Sequence, residues 1–410
     1  MLALLVSSRT TKERVIIIEE RHIIESIDEQ EIIAFLQTLV RTNSENPPGN
    51  EMEVGHIIAN ELETIGCHVE LQMVEKGRFN VIGIIEGESK EKLLFNGHMD
   101  TVKAGDVDAW DDDPFGGEIH NGKLFGRGST DMKAGLTSMI FALKAVLHSG
   151  VSLKKGIMFT AVIDEEVFFK GTKALIDSHK LRDCEWGFVS EPSSLNIATR
   201  QKGGIEFLAR TYGKSAHAGV AFSGDNAIYK MNKVVDALER YNETLKARMN
   251  LPFLKHPTVN VGRIQGGTGV TFVPDFCEIE FDRQVLPGEN IETVTREVTE
   301  VIELLEKQQG INVELNKIQQ FNTWEVSVRS QVVTMLASAY KKLFHREPIY
   351  SGFNGYSEVE LLANNGIPSV IFGPGDITLA HVPNENVQIQ EVIDAAKVYA
   401  LVAYNYVRGQ

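Results

Sequence analysis

Short apolar runs closed by a polar or charged residue recur along the chain, and helical patterns fill the intervals between them. The spacing of Ile32, Ile33, Leu36 and Leu39-Val40 predicts a first helix over 28–40. Asn46-Pro47-Pro48-Gly49-Asn50 breaks it, and a second helix is predicted over 53–65. Strands follow over 69–74, 80–86 and 92–96, then a helix over 132–147 and a strand over 156–163. Such alternation predicts an α/β fold with a mainly parallel, helix-covered sheet. Residues before about Ser26 match no clear element, although 15–18 and Ile23-Ile24 are apolar, and read as a loose extension.

The pattern changes near Gly203. From there the order is strand (205–212), helix (225–248), strand (258–264), strand (276–284), helix (291–309) and strand (311–317). A β-α-β-β-α-β order is the ferredoxin-like plan. After about Gln319 the first pattern resumes, with a helix over 330–343, a strand over 369–372 and a closing helix over 390–406. The expected organisation is a discontinuous domain of residues 1–202 and 319–410, with a smaller α+β domain, 203–318, inserted into it.

Five of the apolar runs end in residues able to bind metal. His98 and Asp100 follow Leu93-Leu94-Phe95, and Asp131 lies in Gly-Ser-Thr-Asp-Met. Glu165-Glu166 follow 157–163, Glu191 follows 186–189, and His381 lies beyond 370–373. In a parallel sheet, ligands bind in the crevice beyond the carboxyl ends of the strands. Two imidazoles and several carboxylates aimed at one such edge are the ligand set of a zinc-type hydrolytic centre. Taken singly, each has a plainer reading: a turn for His98-x-Asp100, a helix cap for Asp131 and an exposed acidic turn for Asp164-Glu165-Glu166. Carboxylates held side by side repel unless a cation joins them, and one of the pair can then ligate while its neighbour moves a proton.

A net charge of −15 argues against nucleic acid, which needs a basic surface. Cys67, Cys184 and Cys277 lack C-x-x-C spacing and read as reduced, buried thiols of a cytoplasmic protein. The apolar residues 2–6 are too few for a secretory signal, and no run approaches the about 20 residues that cross a bilayer.

In order and spacing, the chain resembles the zinc metallopeptidase family containing acetylornithine deacetylase, succinyl-diaminopimelate desuccinylase, aminoacylase and glutamate carboxypeptidases. The resemblance runs from about residue 30 to 405. It is carried by Gly97-His98-Met99-Asp100-Thr101-Val102, by Gly126-Arg127-Gly128 through Asp131-Met132-Lys133, by Asp164-Glu165-Glu166, by Ser190-Glu191-Pro192, and by Lys214-Ser215-Ala216-His217-Ala218-Gly219.

The resemblance implies a two-metal site bridged by Asp131, with His98 and Glu191 on one metal and Glu166 and His381 on the other. It casts Glu165 as general base and Asp100 as the residue orienting His98. The mixed N/O ligands suit Zn²⁺, with Co²⁺ or Mn²⁺ as substitutes. The inserted domain becomes a lid that also forms a homodimer, in which His217 reaches the partner's site as an oxyanion donor. Asn260 and Arg283 become substrate contacts. The implied reaction is hydrolysis of the amide bond of a small N-acyl amino acid or related amine. A di- or tripeptidase or carboxypeptidase is the nearest alternative, and a metal-binding scaffold without activity belongs to a different class. Two positions depart from the family pattern. Thr271 replaces the usual Asn of the turn between the lid strands. In Ser357-Glu358-Val359-Glu360 an acid, Glu360, stands where an Arg is frequent, which points to a neutral or cationic group on the substrate.

Overall fold

The computed structural model describes residues 19–248 and 250–409. Two compact units emerge. The larger comprises the residues up to Thr199, Val326–Tyr350 and Ser357–Gln410, and the smaller comprises Arg200–Glu325 with Ser351–Tyr356. In chain order the larger unit opens with α1 (Glu29–Arg41), α2 (Met52–Thr64), β1 (His68–Glu75), β2 (Arg78–Ile85), β3 (Lys92–His98), α3 (Ala134–His148), β4 (Gly156–Val162), α4 (Lys170–Asp177) and β5 (Cys184–Val189). Strand β6 (Ile197–Gln201) leads into the smaller unit, which contains β7 (Gly203–Tyr212), α5 (Ala227–Lys246), β8 (Thr258–Gly266), β9 (Phe276–Val285), α6 (Ile291–Gln309) and β10 (Val313–Phe321). The chain then adds α7 (Gln331–Phe344), α8 (Val359–Asn364), β11 (Ser369–Ile371) and α9 (Ile389–Val407).

The sheet of the larger unit runs β1-β2-β4-β3-β5-β11-β6. Its centre, β4-β3-β5-β11, is parallel, while β1, β2 and β6 pair antiparallel at the flanks. The apolar runs of 92–96 and 156–163 form β3 and β4, which are buried at every position. Helix α3 is buried along most of its length and packs on α9, so its sequence is apolar almost all round.

The helix predicted from residue 28 begins at Glu29, because the Asp28 carboxylate accepts the N–H groups of Gln30 and Glu31. The loose extension expected before Ser26 is corrected in part. Residues 19–25 are helical, Ile23 is buried, and the Tyr404 hydroxyl donates to Glu19. The apolar stretch 15–18 lies outside the described residues.

In the smaller unit the sheet order is β8-β9-β7-β10, antiparallel throughout, the ferredoxin-like arrangement. Helices α5 and α6 supply Met231, Val234, Leu238, Val294, Val298 and Ile302 to a separate apolar core. The segment Ser351–Tyr356 joins this unit through Tyr356, whose hydroxyl donates to Asp282 Oδ1 at 2.7 Å and whose ring stacks on Phe321. Among the described residues, no helix is long and apolar enough to cross a membrane.

Candidate metal centre

Strand register brings the ligand candidates of the larger unit together. His98 ends β3 opposite Val162 of β4, so Asp164, Glu165 and Glu166 emerge beside it. Asn96 faces Val189 of β5, so Glu191, two residues on, arrives on the other side of His98. Asp131 precedes α3 in a kinked segment with a cis peptide to Met132, and His381 follows β11.

Asp131 lies between the two imidazoles. Its Oδ1 is 3.1 Å from His98 Nε2 and its Oδ2 is 3.4 Å from His381 Nε2. His381 Nε2 is also 3.1 Å from Glu166 Oε2, while His98 Nε2 is 3.8 Å from Glu191 Oε1 and 3.9 Å from Glu165 Oε2. Two groups of donor atoms, each within 4.8 Å of one another, result: His98, Asp131 and Glu166, and Glu165, Glu191 and Glu358. His381, with φ of 62°, occupies the left-handed region that costs a non-glycine residue about 1–2 kcal/mol, and Asp164 does the same at 64°.

The supporting contacts rest on residues far apart in the chain. His98 Nδ1 lies 2.9 Å from the backbone carbonyl of Asp100, which leaves Nε2 for the centre. The Asp100 carboxylate is 3.7 Å from that ring nitrogen and serves elsewhere: it accepts the N–H groups of Glu165 (3.1 Å) and Glu166 (3.2 Å) and the Asn46 amide (2.9 Å). Asn46 also donates to Asp164, which pairs with Arg78, and Arg78 pairs in turn with buried Glu51. On the other side, buried Glu385 accepts the N–H groups of Thr130 (2.9 Å) and Asp131 (3.1 Å) and pairs with Arg127.

The donors fit divalent cations. Glu166 Oε1, Glu191 Oε1 and Glu358 Oε2 are buried and have no hydrogen-bond donor, and each such acceptor costs about 1–3 kcal/mol or more if left so. Burial, and then the neighbouring acids, push the pKa values of Glu165 and Glu191 well above the usual carboxylate range. Glu358 is pushed up to about 7, by burial and then by Asp100, against the opposing pull of His98. Burial opposes charge on the imidazoles too. The carboxylates outweigh it, raising His98 well above its ordinary value through Glu165, Asp131 and Glu191, and His381 to about 11 through Asp131 and Glu166. Mixed imidazole and carboxylate donors of this kind suit Zn²⁺ and its first-row neighbours.

Residues 94–405 match the profile of peptidase family M20/M25/M40. The chain belongs to that family.

Among its curated relatives is the N-formyl-4-amino-5-aminomethyl-2-methylpyrimidine deformylase of Halalkalibacterium halodurans, 28% identical over 408 residues, covering 92% of this chain and 95% of the relative. The acetylornithine deacetylase of Aliivibrio salmonicida is 26% identical over 380 residues, covering 91% and 97%. A solved dinuclear metal-binding M20 peptidase from Bacillus subtilis, 15% identical, superposes with a TM-score of 0.67 over 93% of this chain and 98% of that one. The M20 chain is therefore an enzyme that hydrolyses amide bonds, and it carries grouped side chains able to hold metal ions.

The candidate residues of the smaller unit lie apart from this cluster in the chain and are described within their own unit. His217 is exposed in a short pairing with Phe272, and its Nδ1 accepts the Gly219 N–H at 3.0 Å. Asn260 is exposed on β8, at a shallow cleft of about 300 Å³ shared with Glu206, Arg263, Glu280 and Asp282. Arg283, expected as a substrate contact, is enclosed within its own unit. Its side chain is 0% exposed, Nη2 donates to Glu289 Oε1 at 2.7 Å, and Nε donates to Tyr241 at 3.4 Å. Glu289, six residues on in the turn before α6, claims the guanidinium.

Sequence reading missed Glu358, Asn46, Arg78 and Glu385 as parts of this region. Asn46 stood in a motif read only as a helix breaker, and Glu358 in a segment read only for specificity.

Proposed function

We propose that this M20 enzyme is a dinuclear metal-dependent deacylase that removes a small acyl group from an N-acyl amino acid or related amine. The observation that carries the reading is Asp131 held between His98 and His381, each with its own acid beside it, Glu191 or Glu166. Those five residues would hold the ions, zinc by donor type with cobalt or manganese as substitutes. When bound, the ions supply Lewis acidity, polarising the amide carbonyl and acidifying water.

Glu165 is the general base. Its backbone is pinned by Asp100, its carboxylate is buried beside His98, and burial with nearby Glu191 and Glu358 raises its proton affinity. A group so tuned takes a proton from the attacking water and returns it to the leaving nitrogen. Asp100 acts through Glu165 and Glu166 as a positioning residue. Glu165→Gln is expected to keep its metal content while kcat falls by about 10²–10⁴-fold. Near-normal turnover would remove Glu165 from this role.

His217 is assigned to the tetrahedral oxyanion in the active site of a second subunit. Support comes from its exposed imidazole and from the exposed apolar side chains of the smaller unit, among them Phe222 (90% exposed), Val270 (97%) and Tyr229 (72%), which suit a homodimer interface. Mixing His217→Ala with Glu165→Gln subunits is expected to restore part of the activity. No restoration would refute action across a dimer.

The names of the relatives and the acid at Glu360, where an Arg is frequent, favour a neutral or cationic amine over a dicarboxylate. Asn260 is the substrate contact assigned to the smaller unit. N-acetylated basic and neutral amino acids are therefore expected to turn over faster than N-succinyl-diaminopimelate, and the opposite preference would sink the assignment. The peptidase alternative shares the chemistry, and a dipeptide panel on the same protein separates the two. Three buried free thiols support a reducing cytoplasm as the compartment.

A further inference from the structure

Glu358, which precedes α8 and is 0% exposed, is not among the five proposed ligands. It offers a carboxylate oxygen within 4.8 Å of oxygens from both Glu165 and Glu191. Its Oε1 accepts a 3.3 Å hydrogen bond from Thr172 Oγ1, and its Oε2, like Oε1 of Glu191, has no donor among the described residues. A carboxylate is a poor core filler at such a place. A neutral side chain of the same shape would avoid both the desolvation and the repulsion from two neighbouring acids. A cation held by Glu191 would make the arrangement favourable, because the charge of Glu358 would then attract it instead of only repelling its neighbours.

We propose that Glu358 is a positioning residue for the ion on the His98–Glu191 side, adding charge that tightens its binding and fixing Glu165 beside it. The proposal rests on the reading that these side chains hold divalent ions. Glu358 reaches this region from the segment Ser357–Glu358, far in sequence from β3, β4 and β5, whose ends carry His98, Glu165-Glu166 and Glu191. Its effect belongs to one ion, since its carboxylate groups with Glu165 and Glu191 and not with His98, Asp131 and Glu166.

The test is Zn²⁺ affinity, measured by competition with a chromogenic chelator on the full-length chain, together with thermal melting of the metal-free protein. Wild type is expected to take up two ions, and a wild type that takes up none overturns the metal reading and this proposal with it. Glu358→Gln is expected to bind one ion about 10–100-fold more weakly, with the other unchanged. Metal-free Glu358→Gln should melt at the wild-type temperature or above it, because one repelling charge has gone. Glu358→Asp, which keeps the charge, should retain the tight ion. Unchanged affinity in Glu358→Gln overturns the proposal. So does a Glu358→Gln protein that fails to fold or melts lower when metal-free, for that outcome marks Glu358 as a structural residue.

Discussion

At the scale of single residues, the centre depends on acceptors placed where backbone donors need them. Asp100 holds the N–H groups of Glu165 and Glu166, so the two acids cannot rotate away together. Asp100→Asn turns one acceptor into a donor and leaves a buried N–H unpaired, a loss of about 1–3 kcal/mol. The expected result is a lower melting temperature and a fall in kcat larger than any change in KM, with metal still bound, as read by kinetics and metal analysis. The imidazoles allow a second prediction. The carboxylates around them raise His381 to about 11 and His98 well above its ordinary value, so both imidazoles hold a proton more tightly in the metal-free protein. Metal must displace those protons, so binding releases them and affinity rises with pH. Calorimetry in buffers of different ionisation enthalpy should report proton release, and proton uptake would contradict the assignment.

At the scale of elements, close approach decides where the ligands sit. A Cβ on Gly373 would stand 2.4 Å from the Ser190 carbonyl oxygen and 2.5 Å from that of Glu191, and one on Gly135 of α3 would meet the same Ser190 oxygen at 2.3 Å. The segment carrying Glu191 is thus wedged between β11's end and α3. Gly373→Ala should cost about 1–3 kcal/mol by overpacking and weaken metal binding by moving Glu191. Gly262→Ala, whose Cβ has only Asn260 Nδ2 at 3.9 Å, serves as a near-neutral control in the melt. The same scale explains what could be read in advance. Strands β3 and β4 announce themselves by unbroken burial, and their ligands follow at fixed offsets. Asp28 and the α6 stripe of Val294, Val298, Ile302 and Leu305 are equally legible. The antiparallel direction of β1 and β2 is not, since an apolar run carries no sense of orientation. Nor are the pairings Arg127–Glu385 and Asn46–Asp164, which join positions 258 and 118 residues apart without any periodicity to mark them. Nor is the pairing of Arg283 with Glu289, which sits in a turn where no pattern selects it.

At the scale of the whole molecule, every proposed ligand belongs to the larger unit, while the smaller one has its own sheet and its own apolar core. Metal binds the folded larger unit and not the unfolded chain, so an ion at 100 times its dissociation constant adds about 2.7 kcal/mol to that unit alone. For a unit of this size such a gain raises the melting temperature by on the order of 5 °C. Chelation should therefore lower the first thermal transition. In hydrogen exchange it should remove protection from β3, β4 and β5, whose ends carry His98, Glu165-Glu166 and Glu191. Strands β7 and β9 should keep theirs, since their hydrogen bonds close within a sheet that holds no ligand. Equal loss of protection in both sets would mean that the two units unfold as one cooperative body, and metal would then report on the stability of the whole chain rather than on the sheet edge that binds it.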